Sequence, residues 1–182
     1  MIRGMQTVLT IGHSNRTLDA FIELLEAHRV GRLVDVRTVP RSRHNPQFNA
    51  DTLPQAIAMR GIAHTSMREL GGLRKPRPDS PNQGWRNESF RGYADYMQTR
   101  EFELALLSML ALAERDRVAI MCAEALPWRC HRSLIADALL ARGVTAEHIT
   151  SAAPPKPHAL TAFACVEGTR VTYPGAGLFD AN

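Results

Sequence analysis

Lysine is nearly missing from this chain. Only Lys75 and Lys156 stand among 22 basic residues, and the other 20 are arginine. An arginine bias of this kind fits a GC-rich coding sequence as readily as a nucleic-acid surface, so the net charge of +4 permits an anionic ligand without requiring one. Cysteine is scarce too. Three of them, an odd number with two in one loop, do not make a secreted disulfide framework, and thiols are expected. The sequence also has no long hydrophobic run. Residues 1–13 offer only a short apolar stretch before His13, which leaves neither a signal core nor a membrane span, and a cytoplasmic, membrane-free protein is the expectation. No internal repeat is visible.

What is present is an ordinary globular composition, 45% apolar and 22% charged, with 182 residues to build one core. Thr7 to Ile11 reads as a buried strand, and Leu18, Phe21, Ile22 and Leu25 follow at helical spacing after a Thr17 cap. Arg32 to Arg37 is a second strand, Leu53 to Met59 a short helix and Ile62 to Thr65 a third strand. A long helix is predicted from Tyr93 to Glu114, then a strand from Val118 to Cys122, a helix from Ser133 to Arg142 and a fifth strand from Val144 to Ile149. Strands alternating with helices imply a three-layer α/β fold, a mostly parallel sheet of about five strands with helices on both faces. Residues 1–151 form that α/β domain; residues 152–182 read as a Pro-rich linker and a short hairpin-like tail.

Parallel sheets bind ligands at the carboxyl ends of their strands. Three strands deliver polar groups there: His13 and Ser14 from the first, Asp35, Arg37 and Arg41 from the second, Cys122 and Glu124 from the fourth. The loop from Cys122 into the last helix adds Cys130, His131, Arg132 and Ser133. Arg37, Arg41, Arg132, Ser133 and the amides near His131 suit a phosphate or carboxylate, because a helix start and planar guanidinium groups match anionic oxygens. Glu124 or Asp35 can act as general base or acid, with His13 and Ser14 orienting the substrate. Cys130, flanked by Arg129, His131 and Arg132 at a helix start, has surroundings that favour a thiolate; it is a reactive thiol or a spectator. The Gly71 to Gly92 loop is long enough to be a lid.

The reaction type stays open. In a cysteine phosphatase the arginine follows the cysteine by about six residues, whereas Cys122 to Arg132 is longer and Cys130 to Arg132 shorter. A rhodanese-like loop has small mobile residues where this chain has Pro127 and Trp128. The leading expectation is an enzyme or sensor that binds a phosphate-bearing ligand, a nucleotide or nucleic acid, at the carboxyl edge of the sheet, with hydrolase-like or cysteine-dependent chemistry if it is an enzyme. Two rivals stand beside it. One is a nucleic-acid-binding module using Arg41, Arg43, Arg74, Lys75, Arg77, Arg86 and Arg91 on phosphates, with Trp85 or Phe90 stacking bases. The other is a metal site made by Cys122, Cys130 and His131, although that spacing matches no standard zinc module. The residues name no cofactor and no oligomeric state.

Four short motifs, Ile11-Gly12-His13-Ser14, Leu33-Val34-Asp35-Val36-Arg37, Met121-Cys122-Ala123-Glu124 and Cys130-His131-Arg132-Ser133, in this order and roughly this spacing, resemble a bacterial and archaeal family catalogued as domain of unknown function 488. The resemblance covers about residues 7–150 and leaves out the segment after Pro154. It implies a compact cytosolic α/β domain and carries no established activity.

Overall fold

The computed structural model describes residues 6–175. Its sheet comprises β1 (Thr7–Gly12), β2 (Arg32–Asp35), β3 (Ala63–Ser66), β4 (Val118–Cys122), β5 (Thr145–Ile149) and β6 (Lys156–Pro157), in the spatial order β3-β2-β4-β1-β5-β6. The first five are mutually parallel and β6 runs antiparallel at the edge of β5. The expected parallel core is therefore present, with one added strand drawn from the Pro-rich segment. A two-residue edge strand is where prolines are tolerated, because a missing N–H costs no internal ladder bond there.

Strand pleating sorts the core into two layers. Leu9, Ile11, Leu33, Ala119 and Met121 point to one face, where α1 (Leu18–Ala27) and α2 (Leu53–Ala58) bury Phe21, Leu25 and Ile57 together with Phe48. Val8, Val34, Val36, Ile120 and Cys122 point to the other, under α3 (Glu88–Tyr96), α4 (Arg100–Ala113) and α5 (Arg132–Leu140). Each large apolar side chain taken fully from water contributes about 1.5–3 kcal/mol. Thr17 caps α1 as expected, its hydroxyl accepting from the Ala20 amide at 3.2 Å.

The single helix expected over Tyr93 to Glu114 is two helices. Asn87 caps the first, accepting from the Ser89 and Phe90 amides; the chain then breaks at Thr99, whose extended backbone and hydroxyl, accepting from the Phe102 amide, start the second. An apolar stripe continuing across both helices hides the break, but Thr99 ahead of Glu101 and Glu103 is an N-terminal signature. The tail forms a hairpin as expected, β7 (Cys165–Glu167) with β8 (Arg170–Thr172), turned by Gly168 at a φ of 61°. It leads into Tyr173, which is buried in the core under α5.

The chain leaves β2 toward β3 and leaves β4 toward β5, in opposite directions along the sheet, so a crevice opens at the carboxyl ends of these two neighbours.

Candidate functional site

A cavity of about 580 Å³ occupies that crevice. Arg37, Thr38 and Val39 reach it from the end of β2; Cys122, Ala123 and Glu124 from the end of β4; Arg129, Cys130 and His131 from the approach to α5; and Gly72, Leu73, Asn87, Ser89, Phe90 and Tyr93 form the opposite wall. Hydrogen bonds tie the loop leading into that wall to α3. Asp95, itself buried, accepts hydrogen bonds from the Arg77 amide, the Ser80 hydroxyl and the Asn82 side chain, and Asn82 in turn accepts from the Tyr173 amide. The Thr38 hydroxyl donates to the Gly72 carbonyl at 2.8 Å, which ties the wall to the end of β2.

The two sulfurs lie at the base of the cavity. Cys122 ends β4 on the α5 face, and the 3-10 turn Pro127–Arg129 brings Cys130 back over it, with the sulfurs 2.6 Å apart. Cys122 is held from several sides: its sulfur accepts from the Arg132 Nε at 3.0 Å and from the Glu124 amide at 3.3 Å. The His131 Nδ1 stands 3.5 Å from the Cys130 sulfur, and its Nε2 donates to the Val36 carbonyl at 3.2 Å. With Nε2 carrying that proton, Nδ1 is the nitrogen available to take the thiol proton. The hydrogen bond from Cys122, reinforced by His131 and Arg132, holds the Cys130 thiol well below its ordinary range against the opposing effect of burial. Cys122 shifts the opposite way, because burial and the proton shared with Cys130 favour its neutral thiol. The two thiols titrate as a pair, and these opposed shifts favour losing the first proton from Cys130.

Two glycines make room for this arrangement. A Cβ on Gly12 would fall 1.8 Å from the Glu124 carbonyl oxygen, and one on Gly72 would fall 3.1 Å from the His131 Nδ1. The first would run into backbone and the second into the His131 imidazole.

The remaining expected site residues divide between places. Asp35 registers opposite Met121, so it points to the α1/α2 face and not into the cavity. There it is 1% exposed and forms a two-point ion pair with Arg37, which also donates to the Phe48 carbonyl. His13 stacks on Phe48 at 4.3 Å, donates from Nδ1 to the Ser14 carbonyl and lies 3.3 Å by Nε2 from Arg37. Nε2 must then accept, which makes the ring neutral, and burial lowers its pKa to about 4. Asp35 and Glu124 thus do not share a cavity, and Arg37 alone touches both clusters. Ser14, at a φ of 53°, is a turn residue; Arg41 is exposed on the following loop, outside the cavity wall. Ser133 donates to the Cys130 carbonyl and lines a second cavity with Trp128, His148 and His158.

Arg132 has a different place from the one expected of it. It is 1% exposed and spends its donors on the Cys122 sulfur, the Thr10 hydroxyl and the Glu124 and Ala125 carbonyls, so it braces the thiol loop instead of offering a fork to an anion. Its support was not foreseen from the sequence. The Asp137 carboxylate accepts from the Tyr173 hydroxyl and the His158 Nε2; His158 Nδ1 accepts from His148 Nε2; and His148 Nδ1 accepts from Thr10, whose oxygen receives Arg132. These polarities are mutually consistent only with His148 neutral, and burial lowers its pKa to about 4.

Neither rival reading gains from these positions. Trp85 and Phe90 stack on each other at 4.8 Å against the core, Arg77 is paired with Asp79, and Arg74 lies over the Tyr96 ring. Among the described residues no group of three or more His, Cys, Asp or Glu side chains is arranged to hold a metal ion, which counts against the Cys122, Cys130 and His131 ligand set. Nor, among the described residues, is any helix long and apolar enough to cross a membrane.

A family model described as Domain of unknown function DUF488 matches residues 17–139, well over half of the chain, and the chain belongs to that family. No curated protein and no solved structure matches it.

Proposed function

We propose that this member of the domain of unknown function 488 family is a thiol-dependent enzyme in which Cys130 is the nucleophile and His131 its proton acceptor. The observation that carries the reading is the placement of Cys130: its sulfur lies between a proton-accepting imidazole nitrogen and a thiol donor, at the foot of a cavity large enough for a small organic substrate. The Val36 carbonyl fixes the imidazole tautomer, the part that a third residue plays in any nucleophile–base–orienter set. A substrate bearing a phosphate or carboxylate meets Arg129 here, while Arg132 and the Asp35–Arg37 pair serve as structure. Glu124, at the rim, is the carboxylate placed to exchange protons with the substrate.

Alkylation by iodoacetamide, followed residue by residue with mass spectrometry, tests this reading. A thiolate already formed at low pH loses some nucleophilicity but no longer depends on pH. The Cys130 rate is therefore expected to stay level from about pH 5 to 8, while that of N-acetylcysteine, run as the reference thiol, climbs about tenfold per unit. Two parallel profiles, or a Cys130 that reacts only on unfolding, would remove it as nucleophile.

A further inference from the structure

A lone nucleophile has no need of a second thiol beneath it. Cys122 is buried and does not face bulk solvent, yet its sulfur touches that of Cys130, and burial favours its neutral thiol. Its sulfur also accepts N–H groups from Arg132 and Glu124, donors that stabilise negative charge once the thiol proton leaves. An attacking thiolate above and a held thiol below are the two parts of a dithiol that is oxidised by thiol–disulfide exchange.

We propose that the protein reduces a low-molecular-weight disulfide, with Cys130 attacking and Cys122 resolving; the proposal rests on the reading of Cys130 as nucleophile. The Cys130 thiolate attacks one substrate sulfur, the substrate S–S bond breaks, and the departing thiolate takes the proton held on His131 Nδ1. Cys122 then attacks the Cys130 sulfur of the mixed disulfide. The Cys122–Cys130 bond forms as the bond to the substrate breaks, and the second thiolate leaves with the Cys122 proton. The balance is one disulfide and one protein dithiol giving one protein disulfide and two thiols, with no further oxidant. Turnover needs an external thiol reductant to return the pair to the dithiol.

The cavity selects the class of disulfide. At about 580 Å³ it is far larger than a hydroperoxide needs. Arg129 and Glu124, of opposite charge, stand in its lining beside the polar Asn87 and Ser89 and the apolar Leu73 and Phe90. Those groups suit short aliphatic stems that end in carboxylate and ammonium, so an amino-acid or short-peptide disulfide is the substrate class.

Glutathione disulfide is the probe, applied to fully reduced full-length wild type, Cys122→Ser and Cys130→Ser, each checked for native circular dichroism, with intact mass and peptide mapping as the readout. Wild type is expected to lose two hydrogens into a Cys122–Cys130 disulfide and release two thiols per chain. Cys122→Ser is expected to stop at one glutathionyl group on Cys130, and Cys130→Ser to form neither. A stable wild-type adduct on Cys130 with Cys122 still free would overturn the proposal, as would a protein disulfide formed by hydrogen peroxide but not by glutathione disulfide. In both cases a level iodoacetamide profile leaves the nucleophile reading intact. A Cys130 inert to both reagents sinks that reading as well.

Discussion

Arg132→Lys is expected to cost about 3 kcal/mol of folding stability, measured by urea unfolding, a larger effect than any loss of ligand binding. The guanidinium is fully enclosed and its fork reaches three different elements: Cys122 at the end of β4, Thr10 in β1 and the Glu124 and Ala125 carbonyls in the loop between. A lysine keeps the charge but places one ammonium where three nitrogens were used, so acceptors are left unmet in a buried setting. The same substitution releases the Cys122 sulfur from its strongest donor. A variant as stable as wild type would mean that Arg132 is free to serve a ligand and that the brace is not one.

Acid is expected to destabilise the protein earlier than carboxylate titration would. His13 and His148 are neutral and buried, with folded pKa values near 4 against about 6.5 in the unfolded chain. For a base with a depressed folded pKa, the unfolded state binds the extra proton between the two values, so stability falls as pH drops through 6.5 and the loss is complete near 4. At 1.36 kcal/mol per unit each histidine accounts for about 3 kcal/mol of that loss. Stability measured against pH should show a slope of about two protons near pH 5. His148→Gln should remove about one of them. A slope unchanged by that substitution would show that His148 does not titrate in this window.

Much of the fold was legible because its signals are local. The strand ending at Cys122 and the helix begun after Thr17 follow from period and cap alone, and the hairpin from its Glu167-Gly168 turn. The site was legible only in outline. Cys122, Glu124, Cys130 and His131 do meet at one sheet edge, since the chain itself joins them. The facing of Asp35 was not legible, because it depends on the register of β2 against β4, Val34 opposite Ile120 and Asp35 opposite Met121, and a register between strands far apart in sequence leaves no mark in either strand. The strand order decided the rest: with β4 between β1 and β2, the crevice opens toward β2, and His13 and Ser14 leave β1 outside it. The place of Arg132 is hidden in the sequence for a similar reason. A basic residue at a helix start offers the same sequence whether its donors face an anion or the buried carbonyls of its own loop, and the Thr10–His148–His158–Asp137 chain that fixes it draws on β1, β5 and the segment beyond β6.

The central claim is that Cys130 is a thiolate at neutral pH. Ultraviolet thiolate absorbance, titrated on native wild type and Cys130→Ser, measures it directly. The account requires a thiolate band in wild type already at about pH 5, absent from the variant. A wild-type band that rises only around pH 8.5, as in a free cysteine, with the variant tracing the same curve, would contradict it.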